Sequence, residues 1–65
     1  MPTSGPELRR ERRAAEITTV ALAAQIGLSR ASLYTLEVAA VVPPERVVAY
    51  REAIKALTAA KDTAA

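Results

Sequence analysis

The sequence predicts a small all-α domain of four short helices. Three observations predict it. Fifteen of the 65 residues are Ala, the best intrinsic helix former. No stretch alternates apolar and polar residues with the period of a strand. Helix-start residues recur at Pro6, Thr18, Ser29 and Pro44, and Gly27 stands where one helix must end and the next begin. A chain of this length forms at most one domain and buries only about 60% of its unfolded surface. Its bulky apolar residues are six Leu, six Val, three Ile, two Tyr and one Met, with no Phe or Trp. The core must therefore be economical.

Residues 1–5 read as a flexible arm, with Pro, Thr, Ser and Gly in succession after Met1. Pro6 suits the first position of a helix, where its missing N–H costs nothing. The first helix is expected from Pro6 to Ala15, with Leu8, Arg12 and Ala15 on one face. Thr18 is a good N-cap, and Ile17 before it can act as a hydrophobic staple. The second helix then runs from Thr19 to Ile26, its inner face formed by Leu22, Ala23 and Ile26.

Gly27 ends that helix by taking a positive φ. Leu28 is expected as a buried spacer and Ser29 as the next N-cap. The third helix runs from Arg30 to Glu37. Leu33 and Leu36 share its inner face, with Glu37 at the edge; Ala31, Tyr34 and Thr35 lie opposite. Val38 to Val42 is an apolar loop, and the segment Val42-Pro43-Pro44 must be extended. Pro44 starts the fourth helix, with Val47, Tyr50, Ile54 and Leu57 as its buried stripe. The Ala-rich tail, residues 58–65, is expected to fray. The main domain thus spans residues 6–57.

Composition narrows the function. There is no Cys and no His, which removes disulfides, thiol nucleophiles, imidazole ligands and the usual general base. No metal, cofactor or small-molecule substrate is expected. Glu45 and Glu52 have no acid–base partner in view and read as solvated. An enzyme is not expected. Charges interrupt every apolar run before the ~20 residues that span a bilayer. Met1 to Pro6 lacks the basic-then-apolar pattern of a secretory signal, so a cytoplasmic location is expected, as in a bacterial nucleoid or a phage-infected cell. Nine basic and seven acidic residues leave a net charge of +2 and a pI near 9.5. Arg9, Arg10, Arg12 and Arg13 cluster near the start, beside Glu7, Glu11 and Glu16. That cluster suits either a nucleic-acid partner or a solvated helix face.

The informative stretch is TTVALAAQIGLSRASLYTLE, Thr18 to Glu37. Ala23 must be small, because the third helix crosses the second there, and four residues later Gly27 supplies the turn. Leu22, Ile26, Leu28, Leu33 and Leu36 supply the shared core. This spacing resembles the helix-turn-helix of the lambda-repressor/Cro family, also called the XRE family, over about Leu8 to Leu57. The resemblance implies a compact four-helix fold, with a fifth helix in many relatives. It makes the third helix the recognition helix of a DNA-binding transcriptional regulator, and double-stranded operator DNA the partner. Arg30, Ala31, Tyr34 and Thr35 become the expected base contacts, and Thr18, Thr19, Ser29 and Ser32 the expected phosphate contacts. It also implies a structural ion pair between Arg12 and Glu37. Two-fold pairing, free or only on DNA, is the usual family arrangement.

The loop departs from the family pattern. Val38-Ala39-Ala40-Val41-Val42 carries neither Gly nor charge where relatives hold the phosphate backbone. Either it caps the core, or Val38, Val41 and Val42 form an exposed patch for a partner. The second possibility leaves an alternative function open: a protein-interaction module of the same fold, antitoxin-like or anti-repressor.

Overall fold

The computed structural model describes residues 2–64, and the side chains of residues 2–60. Its described residues form four helices and no strand: α1 (Gly5–Ala14), α2 (Thr19–Ile26), α3 (Arg30–Val38) and α4 (Pro44–Ala64). Local chemistry explains each start. Ser4 caps α1 by accepting from the Glu7 N–H at 3.3 Å, and Pro6 occupies the first turn. Thr18 caps α2 by accepting from the Ala21 N–H at 3.1 Å. Ser29 caps α3 by accepting from the Ser32 N–H at 3.1 Å. Gly27 ends α2 with φ of 87°, and the Ala23 carbonyl accepts from both Gly27 and Leu28.

Four boundaries differ from expectation. α3 runs one residue further than expected, through Val38, so the connection to α4 begins at Ala39. α1 begins at Gly5, one residue before Pro6, because Ser4 rather than the chain at Pro6 provides the cap. It stops at Ala14, and Glu16 makes the turn with φ of 58° where no glycine is present. α4 does not end near Leu57. It continues through Ala64, since nothing after Leu57 is Gly or Pro and three of the next seven residues are Ala. At 1.5 Å per residue, a helix of 21 residues is about 31 Å long, which accounts for most of the 36 Å long axis of the molecule. Ala65, the last residue of the expected tail, and Met1 lie outside the described residues.

α4 packs across α2, and α1 packs against α3. The buried set is Leu8, Ile17, Leu22, Ala23, Leu33, Val42, Val47, Tyr50 and Ala53. Ile17 and Leu22 flank the Thr18 cap and both enter this set, as a staple pair should. Tyr50 is the largest fully buried side chain and does the work of the absent Phe and Trp. Leu28 is only half-buried, because it sits in the turn at the edge of the core.

The α3–α4 connection divides. Val42 is 3% exposed and caps the core, while Val38 and Val41 face solvent. Val42 is held in place from the other end of the chain. Its N–H donates to the Thr3 carbonyl at 2.9 Å, and the Gly5 N–H donates to the Ala39 carbonyl at 2.8 Å. Among the described residues no helix is long and apolar enough to cross a membrane.

Candidate nucleic-acid interface

α3 presents its polar face outward because Leu33 and Glu37 are turned into the domain. At about 100° per residue, Arg30, Tyr34, Ala31 and Thr35 fill a continuous outer arc of about 140°. All four are exposed, Tyr34 at 68%. They line one open concavity together with Thr19 from the start of α2, and Glu37 forms its floor. The turn at Gly27 thus brings the first residue of α2 alongside the outer face of α3.

The hydroxyls on this face are not equivalent. Thr35 Oγ1 donates to the Ala31 carbonyl at 3.0 Å, so it keeps its methyl group and oxygen lone pairs for a ligand. Ser29 Oγ accepts from the Ser32 N–H and donates to Ser32 Oγ at 3.1 Å. Ser29 is therefore committed to capping, and Ser32 retains its own O–H to donate. Thr18 Oγ1 is likewise occupied as a cap acceptor. The N–H groups of Thr19 and Val20, and of Arg30 and Ala31, are the first two of each helix and have no acceptor within it. Ser32 stands at the far edge of α3, across a second groove that Thr35 and Arg46 also line.

Behind α3, a buried polar cluster fixes its orientation. Arg12 Nε donates to Glu37 Oε2 at 2.7 Å, and Arg12 Nη1 donates to the Ile17 carbonyl at 2.9 Å. Tyr50 donates from its hydroxyl to Glu37 Oε2 at 2.5 Å. The Glu37 carboxylate thereby joins α1, α3 and α4, and Arg12 adds the α1–α2 turn. No buried side-chain N or O is left unsatisfied among the described residues. Burial opposes the charge on Arg12, but hydrogen bonding to Glu37 and its charge outweigh it and hold the guanidinium above its ordinary pKa. Burial pushes the Tyr50 hydroxyl well up, and the bond to Glu37 and its negative charge push it further. On the outside, Arg51 donates to Glu11 at 3.1 and 2.8 Å, tying α4 to α1.

Three residues that the sequence did not single out belong to this machinery. Tyr50 was expected only as an apolar stripe residue. Arg46 reaches the Ser32 side of α3 because Pro44 starts α4 just ahead of it. Gly5 is the third: a Cβ there would fall on the Leu36 and Glu37 backbone, 2.7 Å from the Glu37 carbonyl oxygen. The segment Ser4-Gly5-Pro6-Glu7 carries the S-x-x-E signature of a helix start, which marks the cap. Nothing local marks the contact.

The valine surface shrinks to Val38 and Val41, since Val42 is in the core. Val48 adds to it from α4, and Val41 and Val48 line a shallow apolar groove with Pro2 and Pro44.

A family model described as a helix-turn-helix domain matches residues 5–63. No curated protein and no solved structure gives a significant match to the chain.

Proposed function

The chain belongs to the helix-turn-helix domain family, and from that premise we propose that it is a sequence-specific DNA-binding transcriptional regulator of the Cro/repressor type. One observation carries the reading. The only acidic residue of α3, Glu37, is buried at the floor of the open concavity and paired with Arg12, so the exposed arc of the helix presents no unpaired negative charge to a phosphate backbone.

In this account α3 lies in the major groove, braced from behind by Leu33 and the Arg12–Glu37–Tyr50 cluster. Arg30 makes a bidentate contact to guanine. Ala31 and the Thr35 methyl meet thymine methyl groups. Tyr34 donates to a base edge. Thr18 and Thr19 hold one phosphate at the start of α2, Thr19 through its free N–H and Thr18 through the hydroxyl hydrogen that capping leaves it. Ser32 donates to a second, and Ser29 serves it through the cap. Arg46, on the Ser32 side, supplies a cation where the loop has none. Bound in the groove, the domain excludes polymerase or a competing regulator. Two copies on a pseudo-palindromic operator would sit about 34 Å apart. A cytoplasmic location follows from such a target.

The test is a binding titration at physiological salt. A duplex selected from a random pool is compared with its shuffled sequence. Arg30→Ala should lower the preference for the selected duplex by 1–3 kcal/mol, or about 5- to 150-fold. Equal affinity of the unaltered domain for both duplexes would contradict the reading.

A second reading, a protein-interaction module, is favoured by one observation: Val41 and Val48 are both exposed and border one apolar groove.

A further inference from the structure

The exposed cations are not spread evenly. Arg9, Arg10 and Arg13 all lie on α1, all are exposed, and none is held in an ion pair among the described residues. Arg12 and Arg51, by contrast, are spent on Glu37 and Glu11.

Their direction follows from the neighbours of α1. Glu11 faces α4 through Arg51, Leu8 enters the core, and Arg12 and Gly5 face α3. Continuing round the helix at about 100° per residue, Arg9 comes next after Gly5 and Arg13 follows about 40° later. Arg10 lies a further 60° or so beyond, on the side facing away from the domain. On α3 the residue facing α1 is Glu37, and moving outward from it come Arg30 and Tyr34. By this helical geometry the outer flanks of α1 and α3 turn to the same side of their contact, Arg9 and Arg13 on α1 and Arg30 with Tyr34 on α3.

We propose that Arg9 and Arg13 hold DNA phosphates, so that the binding surface extends beyond the helix-turn-helix onto α1. The inference rests on the DNA-binding reading above. It also bears on the uncharged α3–α4 loop: α1 starts beside that loop, the Gly5 N–H donating to the Ala39 carbonyl at 2.8 Å, and carries cations that the loop lacks. The charge fits a polyanionic backbone, and the ladder of two arginines one helical turn apart spans about 6 Å, close to the spacing of successive phosphates.

The experiment uses the full chain and a 20-base-pair duplex of mixed sequence, with affinity measured as salt is raised. Each phosphate neutralised contributes about 0.9 to the slope of log K against log salt. Arg9→Gln and Arg13→Gln should each lower the slope by about that amount, and Arg10→Gln should leave it within error. Arg9→Lys and Arg13→Lys, which keep the charge, should restore it. Unchanged slopes in both Gln variants would overturn the proposal, including the case in which the arginines serve an acidic protein instead. If Arg30→Gln lowers the slope while Arg9→Gln and Arg13→Gln do not, the DNA-binding reading stands and only the extension fails. If the unaltered chain shows no salt-dependent binding, the DNA-binding reading itself fails.

Discussion

Two glycines matter at the residue scale, for different physical reasons. Gly27 sits at φ of 87° with open space around it, so a side chain there is strained but not obstructed. Gly5 has an ordinary helical backbone, yet a Cβ would strike the α3 backbone. Gly27→Ala should therefore cost about 1–2 kcal/mol. Gly5→Ala must push α1 off α3 and should cost as much or more, about 1–3 kcal/mol, as overpacking does. It should also loosen the Arg12–Glu37 pair, which urea unfolding alongside the Arg12 side-chain NMR signals would show. A Gly5→Ala variant as stable as the unaltered chain would contradict the close approach. The role of Gly27 was legible in the sequence, because helix, glycine and cap follow one another. That of Gly5 was not, because the atoms it avoids lie more than thirty residues away.

Tyr50 gives a second prediction at this scale. Its hydroxyl is held above the ordinary value of 10.0 in the folded state, by burial first and then by Glu37. A raised folded pKa means that its contribution is fully present below about pH 10 and is lost as pH rises beyond that. Stability should fall above pH 10 by up to about 1.4 kcal/mol per pH unit from this group. Tyr50→Phe should remove that share of the alkaline loss. It should also cost about 1.5–3 kcal/mol at pH 7, since the hydrogen bond goes to a charged group. Parallel alkaline profiles for the two proteins would contradict the assignment. The Arg12–Glu37 pair was expected from the family resemblance. The third member was hidden because Tyr50 fits an apolar helical stripe equally well.

At the scale of elements, starts were legible and ends were less so. Thr18, Ser29 and Pro44 announce helices chemically, whereas α1 stops at Ala14 and Glu16 turns the chain in a left-handed conformation that its residue type does not signal. α4 overruns its expected end because alanines sustain it and no breaker follows. The α3–α4 connection resolves in both directions at once: Val42 caps the core, and Val38 and Val41 stay outside. This division sets the test of the interaction-module reading. Val41→Asp and Val48→Asp should leave folding within about 0.5 kcal/mol, as exposed substitutions do. Val42→Asp would bury a charge without a partner and should unfold the domain. If the exposed valines hold a regulator protein, its capture should be lost in Val41→Asp and Val48→Asp while duplex affinity is kept. Capture that survives both changes would remove that reading.

Across the whole molecule, the economy expected of so short a chain is visible in its construction. One tyrosine substitutes for a larger aromatic core, and one carboxylate ties three helices together. The same carboxylate, by turning inward, clears the outer face of α3. That face, with the start of α2 beside it, is what the account places against DNA. A titration of the isotopically labelled chain with a mixed-sequence duplex, followed by amide NMR shifts, tests this most directly. The largest shifts should fall at Thr18–Thr19 and Arg30–Thr35, with Val41 and Val48 unmoved. Shifts confined to the exposed valines, or none on α3, would contradict it.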